Sequence, residues 1–369
     1  MDLGITSFAR HLFAPRAAVP LRRVPSARWA RPSGRASFLE LRVADVIDET
    51  PTTKTFVFDA SALRYRAGQH LTVVVDIAGH TERRCYSFSS SPATKGRSAI
   101  TVRRIDGGKV SGYLHDRVHA GDVLRAAPPA GAFTVETDPT AARLYAMVAG
   151  GVGITPLVSI AETILNEEPR SRIVLLFGNR IEKEIIFRRR LETLASEFCG
   201  RLEIMFALDM PTAGWNGLLG SLTGERVLTA LAGSNPDRWL LCGPAPMMDG
   251  AVATLEGAGV APKNILFERF QYAEARALQL PQAPATLRFA RSGVATSAPV
   301  GMTILEATEK AGVALPSSCR MGGCGACKIK VQGRIVTAEP NCLSEHERAD
   351  GYALACCSYA DGEVTLLDF

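Results

Sequence analysis

The chain lacks several things, and each absence narrows what it can be. No apolar run reaches the roughly 18 residues that a membrane-spanning helix needs, so the 47% apolar content is available for packed interiors. There is no internal repeat and no low-complexity tract, which removes repeat architectures. Net charge is nearly absent once the first 36 residues are set aside. That segment holds seven arginines (10, 16, 22, 23, 28, 31 and 35) and one acid, Asp2. Without it the formal charge of +5 becomes −1, with 35 basic against 36 acidic residues. A neutral body has no electrostatic footprint for nucleic acid. The basic segment itself lacks the apolar stretch of a secretory signal. It remains open to three readings: an Arg-rich targeting peptide, a contact with a membrane surface or partner, or a solvated extension.

Cysteine is plentiful, but paired spacing is scarce. Of nine cysteines, Cys85, Cys199, Cys242, Cys342 and Cys357 form no paired pattern. The other four do: Cys319-Arg-Met-Gly-Gly-Cys324-Gly-Ala-Cys327, then Cys356. C-x4-C-x2-C followed by a distant cysteine is the spacing of a plant-type [2Fe–2S] site, with a potential roughly near −400 mV. Zinc knuckles favour two C-x2-C pairs, and only one occurs here. Ser317, Ser318, Gly322, Gly323, Gly325 and Ala326 let the backbone curl and direct N–H groups at sulfur. The spacing therefore predicts metal ligands Cys319, Cys324, Cys327 and Cys356. Thiolate ligation needs reduced cysteines, which favours a cytoplasmic compartment.

A length of 369 residues suits two to three domains. From Phe38 the pattern predicts short alternating strands over 38–46, 53–58, 71–76, 85–89 and 100–104, as in a small antiparallel barrel. From about residue 141, strands at 144–149, 173–177, 202–207 and 239–242 alternate with helices at 156–166, 182–197, 224–231 and 245–256. That rhythm predicts a parallel, doubly wound α/β sheet. An Ala/Gln/Pro-rich linker (271–284) leads into a compact module. There a hairpin through 287–289 and 294–296 and a helix over 303–310 precede the cysteine loop. The domain boundaries follow: a basic extension 1–36, a barrel 37–140, a nucleotide domain 141–270, the linker, and a cluster domain 285–369.

Three groups of residues carry further chemistry. Arg84-Cys85-Tyr86-Ser87 offers a phosphate partner, a ring and a hydroxyl suited to a flavin, although strand alternation would divide them between faces unless the strand bends there. Ser111, in Gly107-Gly-Lys-Val-Ser111, stands where a helix start can meet phosphates. Gly150-Gly151-Val-Gly153-Ile-Thr155-Pro156 joins a strand to a helix, which lets backbone approach a pyrophosphate. It departs from G-x-G-x-x-G, and Pro156 is at ease in a first helical turn. Cys242-Gly243-Pro244 ends another parallel strand on the edge where ligands bind. Asn179 and Arg180 follow the second strand, where an arginine can accommodate a 2′-phosphate. His115 and His119 are four apart on an expected helix without an evident third metal ligand.

These motifs, in this order, resemble the ferredoxin–NADP reductase superfamily over about 38–270 and plant-type ferredoxins over 285–369. The combined order is similar to reductase components that serve phenylacetyl-CoA epoxidase, ketosteroid hydroxylase and acyl desaturases. The resemblance implies an FAD-binding barrel, a nucleotide domain and a β-grasp (α+β) ferredoxin domain. It also implies electron flow from NADPH or NADH through FAD to [2Fe–2S] and on to a protein acceptor. Gly131 in Pro129-Ala-Gly-Ala-Phe133 looks like the FAD-using branch rather than the FMN-using one. By resemblance, Arg84, Tyr86, Ser87 and Ser111 hold the flavin, Cys242 lies beside the nicotinamide, and Glu268 and Phe270 of Phe267-Glu-Arg-Phe270 border the flavin. The catalytic set is then Ser87, Cys242 and Glu268. Leu354-Ala-Cys356-Cys357-Ser-Tyr resembles the ferredoxin ending that puts the fourth ligand at Cys356, and neighbouring strand residues face opposite ways, so only one of the two is expected to ligate. An oxygenase or desaturase is the expected acceptor. A different redox partner, such as a hybrid-cluster protein, and a non-catalytic redox sensor or accessory electron-transfer component stay open.

Overall fold

The structure, a computed structural model, describes residues 38–369 except 60–62, 94–96, 271–277, 292, 318–319, 321, 324, 340, 344 and 369. The basic segment, half of the expected linker, and Cys319 and Cys324 lie outside the described residues. Among the described residues no helix is long and apolar enough to cross a membrane.

The first module is built from β1 (Leu39–Thr50), β2 (Thr53–Phe58), β3 (His70–Ile77), β4 (His80–Ser87), β5 (Ser98–Arg103), α1 (Lys109–Arg117) and β6 (Val123–Ala130). Its antiparallel sheet has the order β4-β3-β6-β1-β2-β5. A single bridge between Phe88 and Ile100 closes it into a barrel. β-Branched and aromatic residues suit a pleated surface buried on one side, and Val43, Phe56, Phe58, Leu71 and Ile100 fill the interior. The bend expected at Arg84–Ser87 is absent. β4 pairs with β3 without a register shift from His80 through Ser87, so Arg84 and Tyr86 share one face and Ser87 takes the other. His115 and His119 also do not share a helix face. α1 ends at Arg117, His115 is buried with Nε2 2.9 Å from the Val102 carbonyl, and His119 lies beyond the helix near Asp122.

The second module contains β7 (Leu144–Gly150), α2 (Ile154–Glu167), β8 (Arg172–Asn179), α3 (Arg188–Glu197), β9 (Leu202–Leu208), β10 (Leu218–Leu219), α4 (Gly224–Ala230), β11 (Arg238–Cys242), α5 (Ala245–Gly257) and β12 (Ile265–Glu268). All its strands are parallel, in the order β10-β9-β8-β7-β11-β12. The order reverses at β7, and α2 crosses one face while α4 and α5 cover the other. The helix expected over 182–197 is interrupted. A single 3-10 turn at Glu182–Glu184 is followed by Ile185, Ile186 and Phe187, which are buried in the core. Phe187 takes a left-handed φ of 60° before α3 begins.

The third module runs through β13 (Ala285–Phe289), β14 (Ala295–Ala298), α6 (Ile304–Lys310), β15 (Lys328–Thr337), α7 (Glu345–Ala349), β16 (Tyr352–Leu354) and β17 (Ser358–Asp368). Its mixed sheet has the order β14-β13-β17-β15-β16, with β13 and β17 parallel. α6 starts on a capping box between Thr303 and Glu306 and buries Ile304 and Leu305.

A buried carboxylate ties the barrel-to-sheet connection down. Glu168 is fully buried and accepts from Arg143 Nη1 (2.9 Å), Ser171 Oγ (2.6 Å), the Tyr145 hydroxyl (3.1 Å) and the Asp138 amide (3.0 Å). Removing one partner of such a pair strands a charge in a dry site. Arg143→Ala should cost about 3 kcal/mol in urea unfolding followed by circular dichroism. A loss below about 1 kcal/mol, the level of an exposed pair, would show that Glu168 is satisfied without the guanidinium.

Candidate functional site

At the carboxyl edge of the parallel sheet, two loops touch backbone to backbone. A Cβ on Gly153 would lie 2.1 Å from the Cys242 carbonyl oxygen, and one on Gly243 would lie 3.0 Å from the Gly150 amide nitrogen. Any side chain at Gly153 would push the loop off β11. Gly151 adopts a left-handed φ of 50°, and a Cβ there would meet Arg103 Nη1 at 3.4 Å. The loop feeds α2, whose first turn buries Thr155 and Pro156, and Thr155 Oγ1 donates to the Val152 carbonyl at 3.0 Å. Pro244 caps α5, and a Cβ on Gly150 would approach its Cδ to 2.6 Å. A 14-residue helix behind a glycine loop favours a pyrophosphate through its positive end.

The fit to a dinucleotide can be tested at Asn179. It is 7% exposed at the end of β8, and neither side-chain amide atom has a hydrogen-bond partner. A buried amide without partners costs free energy, and a ribose hydroxyl at this edge would satisfy it. Arg180 next to it is exposed. Two nearby residues are not apparent from the sequence motifs. Arg103 reaches from the barrel to the glycine loop and pairs with Glu184 at 3.7 Å. Asp209, exposed at the end of β9, donates its amide to the Asn179 carbonyl at 3.1 Å, and its Oδ1 accepts from Ser221 at 2.7 Å. An acid at the end of a strand was the available signal for Asp209; Arg103 had none, because only the fold brings it there.

The barrel and the sheet meet at Ser87. Its Oγ donates to Glu268 Oε2 at 3.3 Å across 181 residues of sequence, and His70 Nδ1 stands 3.9 Å from Glu268 Oε1. Cys242 and Glu268 are register partners on β11 and β12. Burial pushes the Glu268 carboxyl up to about 8, against the opposing Ser87 hydrogen bond. Burial, then the Glu268 charge, holds the Cys242 thiol well above its ordinary value. At neutral pH both groups hold their protons, which makes an uncharged wall able to exchange a proton at Glu268. His70 was also unforeseen. It is 3% exposed, and a Cβ on Gly131 would come within 2.9 Å of its Nδ1.

The remaining flavin candidates lie on or beside β4. Arg84 Nη1 is 3.7 Å from Glu82 Oε2. Burial raises the Tyr86 hydroxyl. Ser111 Oγ accepts from the Ile105 amide (3.2 Å) and donates to the Gly108 carbonyl (3.3 Å), so its hydroxyl shapes the turn before α1. Phe270 packs, half-buried, on the core of the parallel sheet.

In the third module Cys327 and Cys356 are buried, and the Gly322 amide donates to Cys356 Sγ at 3.2 Å. An amide aimed at a cysteine sulfur is the donor set that an iron–sulfur cluster uses. The strand-alternation argument that only one of Cys356 and Cys357 can ligate does not apply here. Both lie in a tight turn between β16 and β17, where the Cys357 amide bonds to the Leu354 carbonyl at 3.1 Å, and both are 8% exposed. The Arg83 guanidinium of β4 is held below its ordinary value by burial and then by the positive charges of Arg320 and Arg125.

Comparison with known proteins gives three family models in sequence order. They are an oxidoreductase FAD-binding domain over residues 40–135, an oxidoreductase NAD-binding domain over 147–253, and a 2Fe-2S iron-sulfur cluster binding domain over 287–361. The chain is 32% identical over 350 residues to a component of the 1,2-phenylacetyl-CoA epoxidase of Escherichia coli K12, covering 90% of this chain and 98% of that one. It is 33% identical over 347 residues to the ferredoxin reductase component of 3-ketosteroid-9-alpha-monooxygenase from Mycolicibacterium smegmatis, covering 86% and 93%. Among solved structures, phthalate dioxygenase reductase aligns with a TM-score of 0.58 and 26% identity over 89% of this chain and 98% of that chain. Full-length CYP116B46 of Tepidiphilus thermophilus shares the fold, with a TM-score of 0.71 and 23% identity; the match covers 95% of this chain and 44% of that longer protein.

The Glu268 environment sets a pH dependence. The folded protein keeps this proton up to about pH 8, whereas the unfolded chain releases it near the ordinary 4.5. Between those values the folded state binds more protons, so stability falls as pH rises. Glu268→Gln cannot titrate. The melting-temperature advantage of the wild type over Glu268→Gln should shrink across that window and level off above it. Parallel melting curves across the window would show that the carboxyl is ionised and paired in the folded protein.

Proposed function

The chain belongs to the ferredoxin–NADP reductase superfamily, among the FAD- and NAD(P)H-dependent reductases with a C-terminal [2Fe–2S] domain, and we propose that it is the reductase component of a multicomponent oxygenase. The observation that carries this reading is the cross-domain hydrogen bond of Ser87 to Glu268, the register partner of Cys242, where a flavin ring and a nicotinamide ring have to meet. The names of the relatives support an oxygenase as acceptor over a desaturase. Bound FAD supplies the exchange between a two-electron donor and a one-electron acceptor, chemistry that no side chain offers.

The protein's own residues bind, orient and hold protons. Arg84 pairs a flavin phosphate, Tyr86 packs on the ring, and Ser111 holds the turn that presents backbone to the phosphates. Phe270 closes the ring's other side. Gly151, Gly153, Thr155 and Pro156 receive the coenzyme pyrophosphate at the start of α2, with Arg103 as a cation from the opposite domain. Gly243 and Pro244 keep β11 close, so that Cys242 lines the nicotinamide site without a charge. Ser87 and Glu268 hold and pass a proton at the reacting edge, and His70 backs Glu268. Cys319, Cys324, Cys327 and Cys356 ligate the cluster. Reduced thiolates fit a reducing, cytoplasmic setting.

The order of carriers is testable by cutting it in the middle. Cys324→Ala should lose iron and the cluster's visible bands yet keep NAD(P)H-driven bleaching of the flavin. Electron delivery to an oxygenase component encoded near it should stop. Delivery that survives loss of the cluster would remove the iron from the path and with it this reading.

Coenzyme choice rests on two opposed side chains at the sheet's edge. Arg180 offers a charge-assisted bond to a 2′-phosphate, while the Asp209 carboxylate disfavours one. Arg180→Ala should weaken NADPH about ten- to a hundredfold more than NADH, the scale of a hydrogen bond to a charged group. Asp209→Asn should shift the ratio of the two affinities the other way. Equal losses for both coenzymes would make Arg180 a structural residue.

A further inference from the structure

The turn between β16 and β17 presents two thiols, not one, to the cysteine loop. Cys356 Sγ accepts the Gly322 amide at 3.2 Å. Cys357 Sγ lies 2.9 Å from where a Cβ on Gly322 would stand. Both sulfurs therefore crowd the N–Cα bond of a single loop residue, from adjacent positions on one turn. The Ala355 amide holds the start of the turn to the Cys327 carbonyl at 3.0 Å, and the Cys342 amide separately holds Gly322 of the loop through its carbonyl at 2.9 Å. Gly322, at φ 74°, has no space for a side chain because Cys357 occupies it. Cys357 is no more exposed than Cys356, and it belongs to the same core as Cys327.

We propose that Cys356 and Cys357 form a two-thiol station at the cluster's fourth coordination place, with Cys357 able to ligate iron when Cys356 cannot. The inference rests on the reading that Cys356 is the resident ligand. It adds that a small rotation of the 355–357 turn, with no change in the loop, brings the second sulfur to the same place. In the exchange the Fe–S bond to Cys356 breaks and its thiolate takes up a proton, while an Fe–S bond forms to Cys357, whose thiol gives up its proton. No electrons move. Because Cys357 enters from a neighbouring position, the exchanged cluster keeps its iron and sulfide but acquires a different g-tensor.

The test uses the full-length holoprotein and three variants: Cys356→Ala, Cys357→Ala and the double alanine. Alanine is chosen because serine could itself ligate through oxygen. Iron and sulfide per chain, visible circular dichroism, and the electron paramagnetic resonance of the dithionite-reduced protein are measured. The flavin absorbance of each sample reports that the chain has folded. The expected result is that both single variants keep the wild-type iron content. Cys357→Ala should retain the wild-type resonance, Cys356→Ala should show shifted g-values, and the double variant should lose its iron. If Cys356→Ala keeps its flavin but loses iron as fully as the double variant, the two-thiol station is overturned while Cys356 stands as ligand. If Cys357→Ala alone loses iron, the assignment of Cys356 falls as well. Retention of iron by the double variant would place the fourth ligand elsewhere and overturn both.

Discussion

The site depends on a short seam between the barrel and the parallel sheet. Just past β4, three consecutive serines are bound from the other domain. Arg190 donates to the Ser89 carbonyl at 2.8 Å, Ser159 Oγ to the Ser90 carbonyl at 2.6 Å, and Ser91 shares a 2.7 Å hydrogen bond with Thr163. Arg190 is itself held by Glu162 at 2.7 Å. These are buried or half-buried bonds, so breaking one leaves a partner at least partly unsatisfied. Ser87 is two residues upstream of the first of them. Its 3.3 Å contact with Glu268 follows from the seam rather than from attraction between those two groups alone.

Apolar packing fixes the rest of the geometry. β7, at the reversal of strand order, is buried along nearly its whole length, and α2 buries most of its residues against the sheet. A helix held on that face has little freedom to slide, so its N-terminus and the glycine loop stay aligned with the ends of β8 and β11. The close approach at Gly153 is the sharpest expression of this constraint: sheet, loop and helix share one point of backbone contact. Burial at that edge also sets the protonation of Cys242 and Glu268. The packing that positions the site therefore sets its electrostatics.

Much of this was legible in the sequence, for identifiable reasons. The four central strands of the parallel sheet, β7, β8, β9 and β11, are continuous apolar runs and were located to within a residue or two, while the edge strands β10 and β12 were not read. The cysteine spacing and the glycine loop are local patterns whose chemistry does not depend on the rest of the fold. Three features could not be read. The segment Glu182–Glu197 has helical composition throughout, and only the demand of the core for Ile185, Ile186 and Phe187 interrupts it. The straight course of β4 was hidden because the expected grouping of Arg84, Tyr86 and Ser87 on one ligand assumed one face. The contact of His70 and Arg103 with the second domain is purely tertiary: each is an ordinary strand residue until the seam forms. The turn holding Cys356 and Cys357 belongs with these, since alternation is a property of strands and the chain leaves the strand at Leu354.

β4 has a further consequence, because among the described residues it pairs along its length with β3 alone and meets β5 through the bridge beyond its end. It is an edge strand, and an edge offers a row of backbone groups to which another chain can add. Glu82, Arg83 and Arg84 stand along it, with Lys109 bound to Glu82 at 2.9 Å. Charge of this kind deters strand addition. The strand with the flavin-facing motif thus has a second duty, to keep one molecule from templating on the next. Neutralising these charges would alter how molecules associate with one another even where every cofactor contact was kept.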